Sequence, residues 1–278
     1  MNENVIISTP QKLEETLKAI KADWKENFHV VADFDKTLTK AFVAWEKSST
    51  VIAQIRNWNY LTPDYPEKAH ALFDHYNAIE IDSNYLKDEK IAKMYERREK
   101  HYDLIIKSWL TKQIIQNIVS KKSLKFREWS ELFFNILKEN QIPLVIISAS
   151  VGDMISAYLL QEWWLFDNIY VVSNLFEFDE NWKVISVKKP IVHCMNKSEV
   201  ILDQFNFFNK IKDRKNVLLL WDSPDDIDMI HWFDYKNLIK IWFCNHDENL
   251  EEFKNIYDVV ILNDGDMDYI NQLIVGLK

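Results

Sequence analysis

Two kinds of apolar pattern alternate along the chain. The first is a short continuous run of β-branched residues and leucine. His29-Val30-Val31-Ala32 ends in Asp33-Phe34-Asp35, Ile142–Ile147 ends in Ser148-Ala149-Ser150, and Val217–Leu220 ends near Asp222-Ser223. Runs that do not alternate with polar residues suit strands buried on both faces of a parallel sheet. Ile239–Phe243, Val259–Leu262 and Ile169–Val172 have the same character. The second pattern has helical spacing. Leu13, Leu17 and Ile20 mark a helix over 10–25, and Trp45–Trp58, Pro66–Tyr76, Asp88–Leu110 and Thr111–Val119 mark four more. Those four lie between the first two core strands. The pattern predicts an α/β fold: a parallel-sheet core from residues 1–41 and 126–278, with 42–125 inserted as a helical cap. Polar groups at the ends of three strands converge on one crevice, where open α/β sheets place their ligands.

Composition narrows the class. Of 278 residues, 47% are hydrophobic and 28% charged, which suits a globular chain able to bury a sizeable core. The net charge is −9 and no basic run dominates, so no nucleic-acid polymer is expected as partner. No apolar stretch is long enough to span a membrane, and residues 1–10 lack a secretory pattern. A cytoplasmic location and a monomer or weak oligomer are expected. Cys194 and Cys244 form neither a disulfide framework nor a metal-ligand spacing. Glycine occurs only three times and tryptophan eleven times, so tight turns around an anion have to be built from other residues.

The sharpest chemical feature is Asp33-Phe34-Asp35-Lys36-Thr37-Leu38-Thr39. A carboxylate that attacks phosphorus splits one difficult displacement into two easier ones. A second carboxylate two residues on can protonate the leaving oxygen and then activate water. Alternation along a strand separates the two, so the chain has to turn just after Asp33. This D-x-D-x-T pattern resembles the first signature of the haloacid dehalogenase superfamily. Ser148 and the N–H of Ala149 then fall where that superfamily binds the phosphoryl oxygens, and Lys197 falls where an ammonium offsets charge on phosphate and nucleophile. Asp33, the Asp35 carbonyl and Asp222 make a hard-oxygen set suited to Mg²⁺. Asp226 is expected to orient Lys197 or a metal-bound water.

Longer stretches are similar to the cytosolic pyrimidine 5′-nucleotidase (type III 5′-nucleotidase) family. They are ADFDKTLT (32–39), AIEID (78–82), FREWSELFFNILKENQIPLVIISASVGD (126–153), VVSNLFEFDE (171–180), HCMNKS (193–198) and VLLLWDSPDDIDM (217–229). The resemblance implies a Rossmann-like core with a helical cap and Mg²⁺-dependent hydrolysis of nucleoside 5′-monophosphates. It implies that Glu80 reaches the nucleobase and that His101 lies near the substrate. Four departures stand out. Trp221, Asp225 and Ser150 occupy family glycine positions, and Glu96-Arg97-Arg98 replaces paired tryptophans.

The expected reaction is hydrolysis of a nucleoside 5′-monophosphate, pyrimidine by preference. Asp33 is the nucleophile, Asp35 the general acid and base, and Ser148 and Lys197 stabilise the transition state. Arg97 and Arg98 are expected on a solvated helix face. The alternatives are a phosphatase of another small phosphorylated metabolite, phosphotransfer to a nucleoside, or a nucleotide-binding protein with weak turnover. The last is motivated by Trp221, whose bulk would crowd the metal site.

Overall fold

The continuous apolar runs become central strands because each can bury both faces only between two layers of structure. The computed structural model describes residues 4–22, 24–57, 59–197, 202–223, 229–230, 233–245, 250–253 and 256–278. Asp225 and Asp226 lie outside the described residues. In chain order the elements begin with β1 (Val5–Ile7), α1 (Pro10–Lys21), α2 (Trp24–Asn27), β2 (Phe28–Ala32), β3 (Phe42–Val43) and β4 (Glu46–Lys47). Then come α3 (Val51–Asn57), α4 (Tyr65–Ile81), α5 (Lys87–Lys107), α6 (Lys112–Ser120) and α7 (Ser130–Glu139). The chain continues through β5 (Leu144–Val151), α8 (Gly152–Gln161), β6 (Ile169–Asn174), β7 (Phe176–Phe178) and β8 (Val184–Val187). It ends with β9 (Asn216–Trp221), β10 (Asn237–Cys244), α9 (Leu250–Phe253), β11 (Val259–Leu262) and α10 (Asp268–Gly276).

Seven strands form one sheet in the order β1-β11-β10-β9-β2-β5-β6. Six are parallel, and β1 pairs antiparallel with β11 at one edge. Ala32 of β2 pairs with Ile146 on one side and Leu220 on the other. The next residues along these three neighbours are therefore Asp33, Ile147-Ser148 and Trp221-Asp222, all at the carboxyl edge. Alternate residues feed two cores. Val30, Ala32, Ile146, Leu218 and Leu220 join one face. Val31, Val145, Val217, Leu219 and Trp221 join the other.

The excursion over 42–125 leaves and returns at one place, where Thr39 and Phe126 form an antiparallel bridge. Its helices match the sequence expectation except at the start. The helix expected over Trp45–Trp58 begins only at Val51, because 42–47 forms the β3–β4 hairpin. Ala44 and Trp45 turn it with φ of 51° and 70°, which a helix does not admit. The β7–β8 hairpin and strand β1 were also unanticipated. No helix of the described residues is long and apolar enough to cross a membrane.

Candidate active site

Asp33 is the first residue beyond β2, and its N–H donates to the Leu220 carbonyl at 3.0 Å, extending the sheet by one bond. Its carboxylate accepts from Lys197 Nζ at 2.6 Å, with both side chains buried. Lys197 is delivered by a turn that Asn196 braces. The Asn196 side chain accepts from the His193 N–H at 2.6 Å and donates to the Ile191 carbonyl at 2.9 Å. Asn174, the last residue of β6, accepts from the Val192 N–H at 2.8 Å and donates to the carbonyls of Ala149, Ser150 and Val192. One buried amide thus ties the Ser148–Ser150 end of β5 to the lysine segment.

The expected turn after Asp33 is present, with Lys36 in the left-handed region at φ 63°. Thr39 accepts from the Lys36 N–H at 2.8 Å, and Thr37 donates to Asp222 at 3.2 Å. The turn is clamped from behind by Arg127. This buried guanidinium donates to the Thr37 carbonyl at 2.6 Å, to the Lys36 carbonyl, to Asn245 at 2.9 Å and to Asp264 at 3.1 Å. Its face lies 3.8 Å from the Phe243 ring centre. Sequence reasoning missed Arg127. It stands in the quoted stretch FREW, but nothing in the spacing of charges distinguishes it there.

Asp35 is held between core and insert. One oxygen accepts from the Val51 N–H at 2.8 Å, at the first residue of α3, and the other from the Ser150 hydroxyl at 2.5 Å. Burial pushes its carboxyl up to about 6, opposed by the Ser150 hydrogen bond and reinforced by Asp33. A carboxyl poised there donates and accepts a proton near neutral pH. Ser150 is therefore more than a filler at a glycine position. Ser148 is buried, and its hydroxyl accepts from the Ser150 N–H at 3.2 Å.

A cavity of about 160 Å³ is lined by Asp33, Asp35, Ser148, Ala149 and Lys197. It adjoins one of about 340 Å³ that runs under the inserted helices, and the two share Asp35, Thr50, Ile52, Arg98, Cys194 and Ser223. Glu80 and His101 line the larger one. The Glu80 carboxylate is already engaged, by Arg97 at 2.7 Å and by the Cys194 thiol at 2.9 Å. Burial, with Glu80 beside it, pushes the Cys194 thiol up to about 12. His101 accepts from or donates to the Tyr65 hydroxyl at 3.0 Å. Burial holds its imidazole down at about 3, helped by Arg98, Arg56 and Arg97.

Two expectations are corrected. Arg97 and Arg98 do not lie on a solvated face: both line the larger cavity, and the Arg97 side chain is only 16% exposed. Helix α5 packs between α4 and β8, which turns that face inward. Trp221 does not crowd the metal site. It is fully buried on the opposite face of the sheet, edge-on to Tyr257 with its N–H 3.2 Å from the tyrosine hydroxyl. The residue after Leu220 points to the other face by strand alternation. Asp226 cannot be placed, since it lies outside the described residues.

A parallel sheet that delivers a lysine-paired aspartate, a second raised carboxyl and a serine to one cleft defines a phosphomonoester hydrolase of the haloacid dehalogenase-like fold. The fold agrees with that of a phosphoserine phosphatase in its phospho-aspartyl intermediate analogue form, at a TM-score of 0.53 and 16% identity, covering 89% of this chain and 98% of that one. It agrees far more closely with cytosolic 5′-nucleotidase IIIB bound to cytidine, at a TM-score of 0.90 and 23% identity, covering 100% and 94%. The family model for pyrimidine 5′-nucleotidase (UMPH-1) matches residues 36–278, and the chain belongs to that family. Among relatives, the 7-methylguanosine phosphate-specific 5′-nucleotidase A of Xenopus laevis is 31% identical over 275 residues, 98% of this chain and 95% of that protein. The putative cytosolic 5′-nucleotidase 3 of Caenorhabditis elegans is 28% identical over 282 residues, 98% and 75%.

Proposed function

We propose that the protein hydrolyses nucleoside 5′-monophosphates, pyrimidine by preference, in the presence of Mg²⁺, with 42–125 acting as a cap that selects the leaving nucleoside. The observation that carries this reading is the buried Asp33–Lys197 pair facing one cavity with Asp35. Asp33 attacks phosphorus in line and becomes an aspartyl-phosphate. Asp35, its carboxyl pushed up to about 6 by burial and so able to exchange a proton near neutral pH, supplies the proton to the departing 5′-oxygen. It then takes a proton from the water that hydrolyses the intermediate. Lys197 offsets charge on Asp33 and on the phosphoryl oxygens, while Ser148 and nearby N–H groups receive those oxygens. The link from Asp35 to the first residue of α3 couples the acid to the cap, so cap position and proton donor move together.

The donor set fits magnesium. Asp33 and Asp222 offer carboxylates, the Asp35 carbonyl adds a third hard oxygen, and Thr37 orients Asp222. Among the described residues no group of three or more His, Cys, Asp or Glu side chains converges as a metal cluster. Magnesium is commonly held by one or two carboxylates, with substrate and water completing its shell. Bound there, Mg²⁺ offsets phosphoryl charge and aligns the phosphate.

A second reading takes its motive from the relatives' names: hydrolysis of 7-methylguanosine 5′-monophosphate. The arginines in the larger cavity oppose it, because the methylated base is itself cationic. Phosphate release from UMP, CMP, GMP, AMP and 7-methylguanosine 5′-monophosphate, with and without Mg²⁺, decides between them. Release from sugar phosphates at equal efficiency, with no gain for any nucleotide, would sink the nucleotidase reading.

A further inference from the structure

The larger cavity holds more positive charge than an uncharged nucleobase needs. Arg56, Arg97 and Arg98 line it, and Glu80 is the one lining acid away from Asp35 and Asp222 at its core end. Glu80 is taken by Arg97. Arg56 lies 4.6 Å from the Phe73 ring centre, with its Nε buried and without a hydrogen-bond partner. Burial lowers the affinity of Arg56 for its proton; Arg97 and Arg98 act the same way, and Tyr65 and Asp74 oppose them. Arg98 borders both cavities and has no carboxylate partner among the described residues. Half-buried guanidinium groups without a directly paired carboxylate are unfavourable until a ligand supplies an anion. Their planar forks match a carboxylate or a phosphate.

Resting on the nucleotidase reading, we propose that the preferred substrate is a nucleoside 5′-monophosphate bearing a second anionic group on its base or ribose. Arg56 and Arg98 receive that group, while Arg97 keeps Glu80 neutralised beside it. Four probes test this: UMP with a neutral base, 7-methylguanosine 5′-monophosphate with a cationic one, orotidine 5′-monophosphate with a carboxylate on the base, and uridine 3′,5′-bisphosphate with a phosphate on the ribose. The kcat/KM for at least one anionic probe is expected to exceed that for UMP by about tenfold or more, as one charge-assisted hydrogen bond supplies. Which anionic probe wins tells base from ribose. In Arg56→Gln and Arg98→Gln proteins the anionic-to-neutral ratio, measured on the same preparation, is expected to fall by about tenfold. UMP hydrolysed as well as both anionic probes, or a ratio unmoved in both variants, overturns the inference and leaves the nucleotidase reading standing. Release from non-nucleotide phosphomonoesters alone overturns both.

A separate observation concerns the turns. Among the described residues, eleven other than glycine have φ between 51° and 70°, and five of them are tryptophans: Trp45, Trp109, Trp129, Trp163 and Trp182. Tryptophan supplies only 11 of the 278 residues, so the enrichment is specific to this conformation. A bulky residue there is strained. All five are between 56% and 98% exposed, so packing does not offset the strain. Trp109 and Trp163 directly follow α5 and α8 beyond their caps, with paired closing bonds (Trp109 to Ile106 and Leu110 to Ile105; Trp163 to Leu160 and Trp164 to Leu159). That is the helix-ending position where glycine is the usual residue. None of the three glycines has positive φ.

We infer that these five positions belong to glycine in the working protein, the codon read here as tryptophan being decoded as glycine in the cell of origin. Peptide mass spectrometry of the protein from that cell is expected to find glycine at all five, and tryptophan there overturns the inference. Independently, a protein with all five changed to glycine is expected to melt higher by about 10 °C. An unchanged or lower midpoint overturns it as well.

Discussion

The core end and the cap end of the cavity are built by different means. At the core end, Asp33 and Asp222 directly follow β2 and β9, and Ser148 lies in the last half of the adjacent parallel strand β5, whose register brings the three to one edge of the sheet. Their positions are set by backbone hydrogen bonds and by the Arg127 and Asn174 clamps. At the cap end, Arg56, Glu80, Arg97 and Arg98 project from three helices, α3, α4 and α5, on long side chains. The first arrangement tolerates little variation, because moving one residue moves a strand. The second can be rewritten by single substitutions on a helix face without disturbing the chemistry. On the proposed reading, the residues of the first kind carry the chemistry and those of the second meet the leaving group.

The largest expected effect is at the core end. Asp33→Asn removes the nucleophile and leaves Lys197 without its carboxylate. Phosphate release from every substrate is expected to fall by at least about a thousandfold in kcat, as loss of a covalent nucleophile does elsewhere. Near-normal turnover would break the comparison at its root.

Arg127→Met tests whether the clamp is as important as the register. It strips the carbonyls of Lys36, Thr37 and Gly265 and the Asn245 side chain of a buried donor, and removes the cation paired with Asp264. The urea midpoint is expected to drop by an amount equivalent to about 3 kcal/mol, the scale for removing one member of a buried charged pair. kcat is expected to fall equally for all phosphomonoesters, because the Lys36–Thr37 turn loosens. A change in substrate preference instead would place Arg127 with the cap.

The same division explains what the sequence revealed. The core strands were legible because an unbroken run such as Leu144–Ile147 has no other way to bury both faces. The candidate catalytic groups stood out through their order near strand ends, and the structure brings Asp33, Asp35, Ser148 and Lys197 to one cavity. The orientation of α5 was not. Glu96 pairs outward with Lys93 at 2.8 Å and Lys100 at 2.5 Å, while Arg97, one residue on, turns inward to Glu80. A charged stretch with both habits carries no sign of which side is covered; that depends on α4 and β8. The β3–β4 hairpin was hidden for a different reason. Its turn uses Ala44 and Trp45 at positive φ, so the usual glycine signal was absent.

Acid pH should loosen both ends, and histidine substitution separates their shares. His29, fully buried in β2 with neither ring nitrogen hydrogen-bonded to a side chain or carbonyl, is held down at about 3 by burial, with Arg214 contributing. His101 and His193, at the cavity, are held near 3 and 4. A folded-state value below the unfolded 6.5 means that the unfolded chain takes up a proton first as pH falls. Stability is therefore full above the unfolded value and declines as pH drops from 6.5 toward 3. Between pH 7 and 5, His29 alone is expected to remove about 2 kcal/mol. His29→Leu should flatten the pH dependence of the urea midpoint by that amount, and an unchanged slope would assign the acid sensitivity to the cavity histidines.

The smallest expected effect is the most informative about the cap. Glu80→Gln keeps the shape of the side chain and its bond to Cys194 but removes the charge that neutralises Arg97. If Glu80 reads the base directly, the change should lower kcat/KM for nucleotides with an exocyclic amine and leave other substrates alone. If its main office is to balance Arg97, the released guanidinium should favour substrates with a further negative charge, by about threefold to tenfold for one added charge-assisted contact. The comparison of CMP with UMP isolates the first outcome, and that of UMP with uridine 3′,5′-bisphosphate isolates the second. The geometry favours the second, because both Glu80 oxygens already accept a hydrogen bond inside the protein, which leaves a base only their remaining lone pairs.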